Sequence, residues 1–177
     1  MPSSPPPAVK GSAIAHALAD CGIDSATVVP DFVQIATHQC LDANGGRLRV
    51  TYCANENQAI HVATGLYIGG RRPVVMMQNQ GLYNCVNSLR ACGLDAGIPL
   101  LLMVGQFGRE FSNYGQDMRA SRRHMVSLLE PVLDALGIAC WRLETAQDLG
   151  AIAAAHAHAE QQRSPAAIIV GRHTEWD

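Results

Sequence analysis

No stretch of this 177-residue chain approaches the roughly 20 consecutive apolar residues that span a bilayer, so no membrane helix is expected. An excess of one charge is missing too: 15 acidic residues face 13 basic ones, which argues against a nucleic-acid or anionic-membrane surface. The six cysteines (Cys21, Cys40, Cys53, Cys85, Cys92 and Cys140) are scattered singly, without a Cys-x-x-Cys pair or a compact framework. Most fall in apolar patterns, where free cysteine behaves as a small hydrophobe, and a reducing cytoplasm is the expected setting. The opening Met1-Pro2-Ser3-Ser4-Pro5-Pro6-Pro7 has neither the basic start nor the apolar core of a secretory signal, and reads as part of a flexible Pro/Ser-rich arm over residues 1–9. There is no Gly-x-x-x-x-Gly-Lys-Ser/Thr loop, no internal repeat and no domain-splitting linker. Residues 10–177 are therefore expected to form one domain, long enough to bury roughly 70% of its unfolded surface.

What is present is an alternation of short apolar runs and helical stripes. Ile14, Ala17, Leu18 and Cys21 share a helical face that Gly22 ends, and Ala26 to Val29 reads as a strand. Asp31 then stands where it can cap a helix carrying Val33, Ala36, Thr37, Cys40 and Leu41, and Asn44-Gly45-Gly46 turns the chain into a strand from Arg49 to Cys53. Ala59, Ile60, Ala63, Leu66 and Tyr67 form the next stripe, closed by Gly69-Gly70, before a strand from Pro73 to Met77 and a helix beginning near Leu82. Ile98 to Val104 is apolar throughout, as a strand covered on both faces would be. A long polar loop, Gly105 to Ala120, precedes a stripe from Met125 to Leu136 that Pro131 should interrupt. A strand from Ile138 to Trp141, a helix opened by a Thr145 to Asp148 capping box and a strand from Ala166 to Val170 complete the chain.

Six strands alternating with helices predict a doubly wound α/β domain, a six-stranded parallel sheet with helices on both faces. Ligands of such sheets bind beyond the carboxyl ends of the strands. Here those ends carry Pro30-Asp31, Asn55-Glu56, Gln78 to Gly81 and Gly105 to Arg109, and the right-handed rule for parallel connections makes Glu56 a neighbour of the Gln78 turn. Glu56 alone could simply complement a helix N-terminus. Gln78, Asn79, Gln80 and Asn84 are four amides in seven residues, more than one helix cap requires.

The run Glu56-Asn57-Gln58-Ala59-Ile60, then Ala63 to Gly70, then Pro73 to Asn87 resembles the pyrimidine-binding domain of thiamine-diphosphate enzymes. Within that group it is most similar to the alpha subunits of sulfopyruvate decarboxylase and the matching half of phosphonopyruvate decarboxylase. The most specific part is Met77-Gln78-Asn79-Gln80-Gly81-Leu82-Tyr83-Asn84-Cys85-Val86-Asn87. The resemblance implies the thiamine-diphosphate-binding fold and a catalytic Glu56, hydrogen-bonded to N1′ of the aminopyrimidine so that a proton can leave the thiazolium C2. It implies a role near the reacting centre for Pro30 and for Asp31, in proton transfer or substrate orientation, and contacts to pyrimidine, substrate or partner from Gln78, Asn79, Gln80 and Asn84.

Arg109, Arg119, Arg122 and Arg123 offer forks suited to an anionic tail, of which Arg109 and Arg122 are the candidate substrate residues; a solvated basic helix start is the alternative. Gly105-Gln106-Phe107-Gly108-Arg109 replaces the His-Arg-Gly-like turn of the two decarboxylases, and the adjacent His pair of pyruvate-type decarboxylases is absent. So is the Gly-Asp-Gly segment that holds magnesium and the diphosphate. The expected protein is therefore half an enzyme: an alpha subunit of a 2-oxo acid decarboxylase, completed by a diphosphate-binding beta subunit that holds Mg²⁺, as α2β2 or larger. An acetolactate-synthase-type carboligase subunit and a non-catalytic regulatory subunit are the alternatives. The seven histidines suggest no metal site, since His156 and His158 point to different sides of a helix; His61, one turn after Glu56, is the one worth testing.

Overall fold

Val74 and Met76 pack into one hydrophobic cluster while Val75 and Met77, their neighbours on the same strand, pack into another, and all four are fully buried. Side chains alternate across a strand, so a run that is apolar at every position belongs in a sheet covered on both sides. The computed structural model, which describes residues 7–43 and 48–177, has this arrangement.

Six strands, β1 (Ser25–Val28), β2 (Arg49–Tyr52), β3 (Pro73–Gln78), β4 (Leu101–Gly105), β5 (Ala139–Leu143) and β6 (Ala166–Val170), form one sheet in the order β2-β1-β3-β4-β6-β5. Every pairing is parallel. One face is covered by α1 (Gly11–Asp20), α2 (Ile35–Ala43) and α8 (Gly150–Gln162), which contribute Ile14, Leu18, Leu41 and Ile152. The other is covered by α3 (Glu56–Ile68), α4 (Asn79–Asn84) and α7 (Leu129–Leu136), through Ile60, Ala63, Leu82, Leu129 and Leu133. The doubly wound parallel sheet is as expected. No helix among the described residues is long and apolar enough to cross a membrane.

From β1 the chain moves outward to the edge strand β2, then back past β1 to β3. Right-handed crossovers in opposite directions put α2 and α3 on opposite faces, and the loops after β1 and β3 part at this switch point. The strands that lead into Glu56 and Gln78 are therefore not paired, because β1 lies between them. Their turns meet only because α3 and α4 cover the same face.

Other boundaries moved for local reasons. The helix expected from Leu82 starts at Asn79 and breaks at Cys85 into α5 (Val86–Ser88), then opens into a π-helix over Leu89–Asp95. A Cβ at Gly93 in that wide turn would overlap the Pro165 ring. The Met125 stripe divides into α6 (His124–Ser127) and α7, with Pro131 in the first turn of α7, where its missing N–H costs nothing. Asn44-Gly45-Gly46 and residues 1–6 of the arm lie outside the described residues. Ala8 and Val9, assigned to the arm, already belong to the fold: Ala8 bridges Thr145, and Val9 is buried and accepts the Glu175 N–H at 2.9 Å.

Candidate active site

Asn55 starts α3. Its Oδ1 accepts the Gln58 N–H at 2.9 Å, and Gln58 Oε1 accepts the Ala54 N–H at 2.7 Å, a reciprocal cap in which the asparagine contributes about 1 kcal/mol. Glu56 thereby takes the first helical position, half-buried, next to the positive end of the helix. Its carboxyl group lies against Gly81 of α4, where a Cβ would overlap Cγ, Cδ and Oε1. Asn84 Nδ2 donates to Glu56 Oε2 at 3.1 Å, and among the described residues nothing donates to Oε1. Two further bonds fasten α3 to the same region: Asn57 Nδ2 donates to Asn84 O of α4 at 3.3 Å, and Ser88 Oγ of α5 donates to Asn57 Oδ1 at 2.6 Å. One carboxylate oxygen is held and the other is left for a ligand.

Asp31 follows Pro30 at the end of β1 and is 2% exposed. Its Oδ1 accepts the Val33 N–H at 2.8 Å, which closes the turn leading into α2 and does not cap the helix itself, since α2 starts only at Ile35, and its Oδ2 accepts from Gln34 Nε2 at 2.7 Å. It presses on the end of β4 so closely that Gly105 has no room for a Cβ. Burial lifts the carboxyl to about 6 against the pull of the Gln34, Val33 and Gly105 hydrogen bonds. Its own N–H donates to His38 Nε2 at 3.2 Å, and burial holds that imidazole down at about 4 while Asp42 opposes the shift. A carboxyl group that titrates near neutrality at a strand end can hold or release a proton under working conditions.

Pro30, Asp31 and Gln78 share the wall of a cleft of about 560 Å³ at the switch point. Gln78 is half-buried and Gln80 exposed, so both amides can turn toward a ligand. Asn79 is different. It is buried, its Nδ2 donates to Phe107 O at 3.1 Å and Met125 O at 2.7 Å, and its Oδ1 accepts the Gln80 N–H at 3.0 Å. Its amide braces the turn after β4 against α6, so its contribution to any site is indirect.

Arg109 departs from its expected role. The side chain is 1% exposed, and all five N–H groups are occupied: by Asn113 Oδ1, Glu144 Oε1 at 2.6 Å, Gly171 O, Asn113 O and Gln116 O. Its guanidinium also lies 5.5 Å from the centre of the Tyr114 ring. Such an arginine clamps the loop after β4 and has no donor left for a substrate. Arg119 pairs with Glu130 and Asp134, and Arg123 donates to Gly108 O. Arg122 is exposed beside a polar pocket of about 310 Å³ that also contains Glu110. His61 is exposed on α3.

Sequence reasoning missed Gly81, Gln34 and His38. The place of Gly81 in the turn from Gln78 and in the Met77 to Asn87 motif was the available signal for the first. Nothing local marks the other two, since in the sequence their partner Asp31 reads as an ordinary cap. Among the described residues no group of three or more His, Cys, Asp or Glu side chains could hold a metal ion. The residues at the rim do suit the aminopyrimidine of thiamine diphosphate, a flat ring bearing donors and acceptors: they offer a carboxylate with one unoccupied oxygen and two solvent-accessible amides, Gln78 and Gln80.

Residues 10–128 match the family profile described as thiamine pyrophosphate enzyme, N-terminal TPP binding domain. The chain is 32% identical over 98 residues to sulfopyruvate decarboxylase subunit alpha of Methanococcus maripaludis, covering 54% of this chain and 57% of that one. The subunit alpha proteins of Methanothermobacter thermautotrophicus (31% over 98 residues, 55% and 59% covered) and Methanocaldococcus jannaschii (27% over 101 residues, 56% and 59%) are similar too. The aligned part thus spans less than two thirds of each relative's length. With two thirds of its residues inside the family profile and the matching strand ends gathered at one rim, the chain belongs to the thiamine pyrophosphate enzymes, as an N-terminal TPP-binding domain.

Proposed function

We propose that this chain is the pyrimidine-binding alpha subunit of a thiamine-diphosphate-dependent 2-oxo acid decarboxylase. A separate beta subunit would hold Mg²⁺ and the diphosphate, in an α2β2 or larger complex. The observation that carries the reading is the fixed carboxylate of Glu56, seated on Gly81 with Oε2 held by Asn84. The names of the relatives support decarboxylation and the alpha-subunit role.

Thiamine diphosphate, when bound, supplies an electron sink for loss of carbon dioxide from a 2-oxo acid. The chain's own groups serve that chemistry in distinct ways. Glu56 Oε1 would hold the proton shared with a pyrimidine ring nitrogen, and Asn84 keeps the carboxylate from rotating away. Gln78, Gln80 and Pro30 bound the ring and the substrate. Asp31, buried and titrating near neutrality, orients the substrate and takes or returns a proton at its carboxyl oxygen. Asn79 and Arg109 keep the two loops on either side of the rim in place.

The test is reconstitution. The chain is isolated gently from its source, its native mass is measured with whatever accompanies it, and thiamine diphosphate and Mg²⁺ are assayed in the complex. A second chain of similar size and an aldehyde product from a 2-oxo acid support the reading. A hydroxyketone product would move it to carboligation, and failure to bind the cofactor with any beta chain would leave a non-catalytic module.

A further inference from the structure

Four of the eight large hydrophobic side chains exposed among the described residues, Phe32, Ile35, Tyr52 and Trp176, line the single cleft that opens beside Asp31 and Gln78. Its volume, about 560 Å³, falls within the roughly 300–1,000 Å³ of small-molecule sites. The floor is built by α2 and the turn before it, on which Asp31, Ile35, His38 and Asp42 recur at helical spacing. Tyr52, at the end of β2, forms one side. Trp176 forms another and is kept there by its neighbour Glu175, whose backbone pairs with Val9 and Gly11.

Charge decides what such a cleft can hold. Its described lining contains two carboxyl groups, Asp31 and Asp42, and no lysine or arginine. Asp42 already accepts from the Tyr52 hydroxyl at 2.6 Å. His38 adds no positive charge at neutral pH, because burial keeps its imidazole neutral. A sulfonate or phosphonate placed here would give up hydration and meet two acids without a counter-ion, which is unfavourable twice over. An aromatic ring would instead cover Phe32, Ile35 and Trp176. The arginine that could receive an anion, Arg122, belongs to a pocket that shares no residue with this cleft, and Arg109 is fully occupied.

We propose that this cleft is the subsite for the non-reacting side chain of the substrate and that this side chain is an uncharged aromatic group. The inference rests on reading the rim as a 2-oxo acid site. It replaces the anionic tail that the loop arginines suggested with an aryl 2-oxo acid, oriented with its carbonyl toward Asp31 and Gln78.

The chain has two tryptophans and hence two indole N–H resonances, which Trp176→Phe assigns in the ¹⁵N-labelled full chain. Phenylpyruvate should shift the Trp176 signal saturably and leave Trp141 alone, while sulfopyruvate at the same concentrations should not. Ile35→Lys, or Gln39→Arg should the first variant misfold, brings a cation into the cleft and should reverse that preference. In the assembled enzyme kcat/KM for phenylpyruvate should exceed that for sulfopyruvate by about ten-fold or more. A Trp176 response to sulfopyruvate, or none to phenylpyruvate, overturns the inference. So does loss of the phenylpyruvate response when the beta subunit is added, since the cleft would then be a subunit contact. An enzyme that decarboxylates sulfopyruvate while phenylpyruvate fails to bind keeps the decarboxylase and removes the aromatic subsite. A chain that binds phenylpyruvate at Trp176 but decarboxylates no 2-oxo acid overturns the decarboxylase and with it the cleft's substrate role.

Discussion

Gly81 has no side chain where the carboxyl group of Glu56 lies, and a Cβ at that position would overlap Glu56 Cγ, Cδ and Oε1. The two residues sit on different helices, each at the start of its own, and Asn84, one turn beyond Gly81, donates to the same carboxylate at 3.1 Å. An acid that would otherwise only complement a helix end is thereby fixed in place.

Gly81→Ala separates stability from function. The overlapping atoms, Cγ to Oε1, all belong to the Glu56 side chain, which must swing away as a whole for alanine to fit, and replacing a glycine inside a helix offsets that cost by up to about 1 kcal/mol. The expected result is an unfolding midpoint near that of the wild type, with turnover in the assembled enzyme reduced almost as far as by loss of the carboxylate. Wild-type turnover in this variant would show that the position of Glu56 does not matter.

Glu56→Gln keeps the shape and removes the proton relay. Turnover in the complex should fall by about 10²–10⁴, the range for a lost acid–base group, while the native mass of the complex is unchanged. Unaltered turnover would sink the role proposed for this residue.

Asp31 and His38 predict opposing pH effects. Asp31 has its folded pKa raised to about 6, so its contribution to stability is full below the ordinary carboxyl pKa near 4 and is lost as pH rises to about 6. His38 has its folded pKa lowered to about 4, so its contribution is full above about 6.5 and is lost as pH falls toward 4. The two slopes largely cancel in the wild type. Asp31→Asn removes one of them, and in urea titrations the variant should gain on the wild type by about 3 kcal/mol between pH 4 and pH 6, then hold that difference. A constant difference across that range would refute the buried, proton-holding carboxyl.

Arg109→Ala should destabilise the chain by about 3 kcal/mol, because Glu144 and three backbone carbonyls lose a buried donor. Arg122→Ala, on the exposed side of the same loop, should change stability by less than about 0.5 kcal/mol. Chemical denaturation of the two variants separates them. Equal stabilities would mean that the Arg109 clamp is not formed in solution.

Much of this was legible in the chain itself because it rests on local physics. Strand runs such as Val74 to Met77 are apolar at every position, which only a doubly covered sheet satisfies, and Gly22, Pro131 and the Thr145–Asp148 box act within one turn of themselves. Glu56, Gln78, Asn79, Gln80 and Asn84 were found by a resemblance carried on contiguous segments, Glu56 to Asn87. Arg109 was misjudged because a loop arginine looks the same whether it faces solvent or is enclosed by its own loop together with Glu144 and Gly171, which come from distant segments.

The order of hydrophobic and polar residues by itself determined the six strands, the helices between them, and the presence of Asp31, Glu56 and Gln78 at strand ends. Only the tertiary structure decided that β1 would lie between β2 and β3, that Glu56 would nonetheless rest on Gly81, and that Phe32, Ile35, Tyr52 and Trp176 would share one cleft. The physical reason is range. Periodicity and capping are set by residues within one or two turns, whereas sheet order and cleft lining depend on which distant apolar surfaces find each other, and that is written in no single segment.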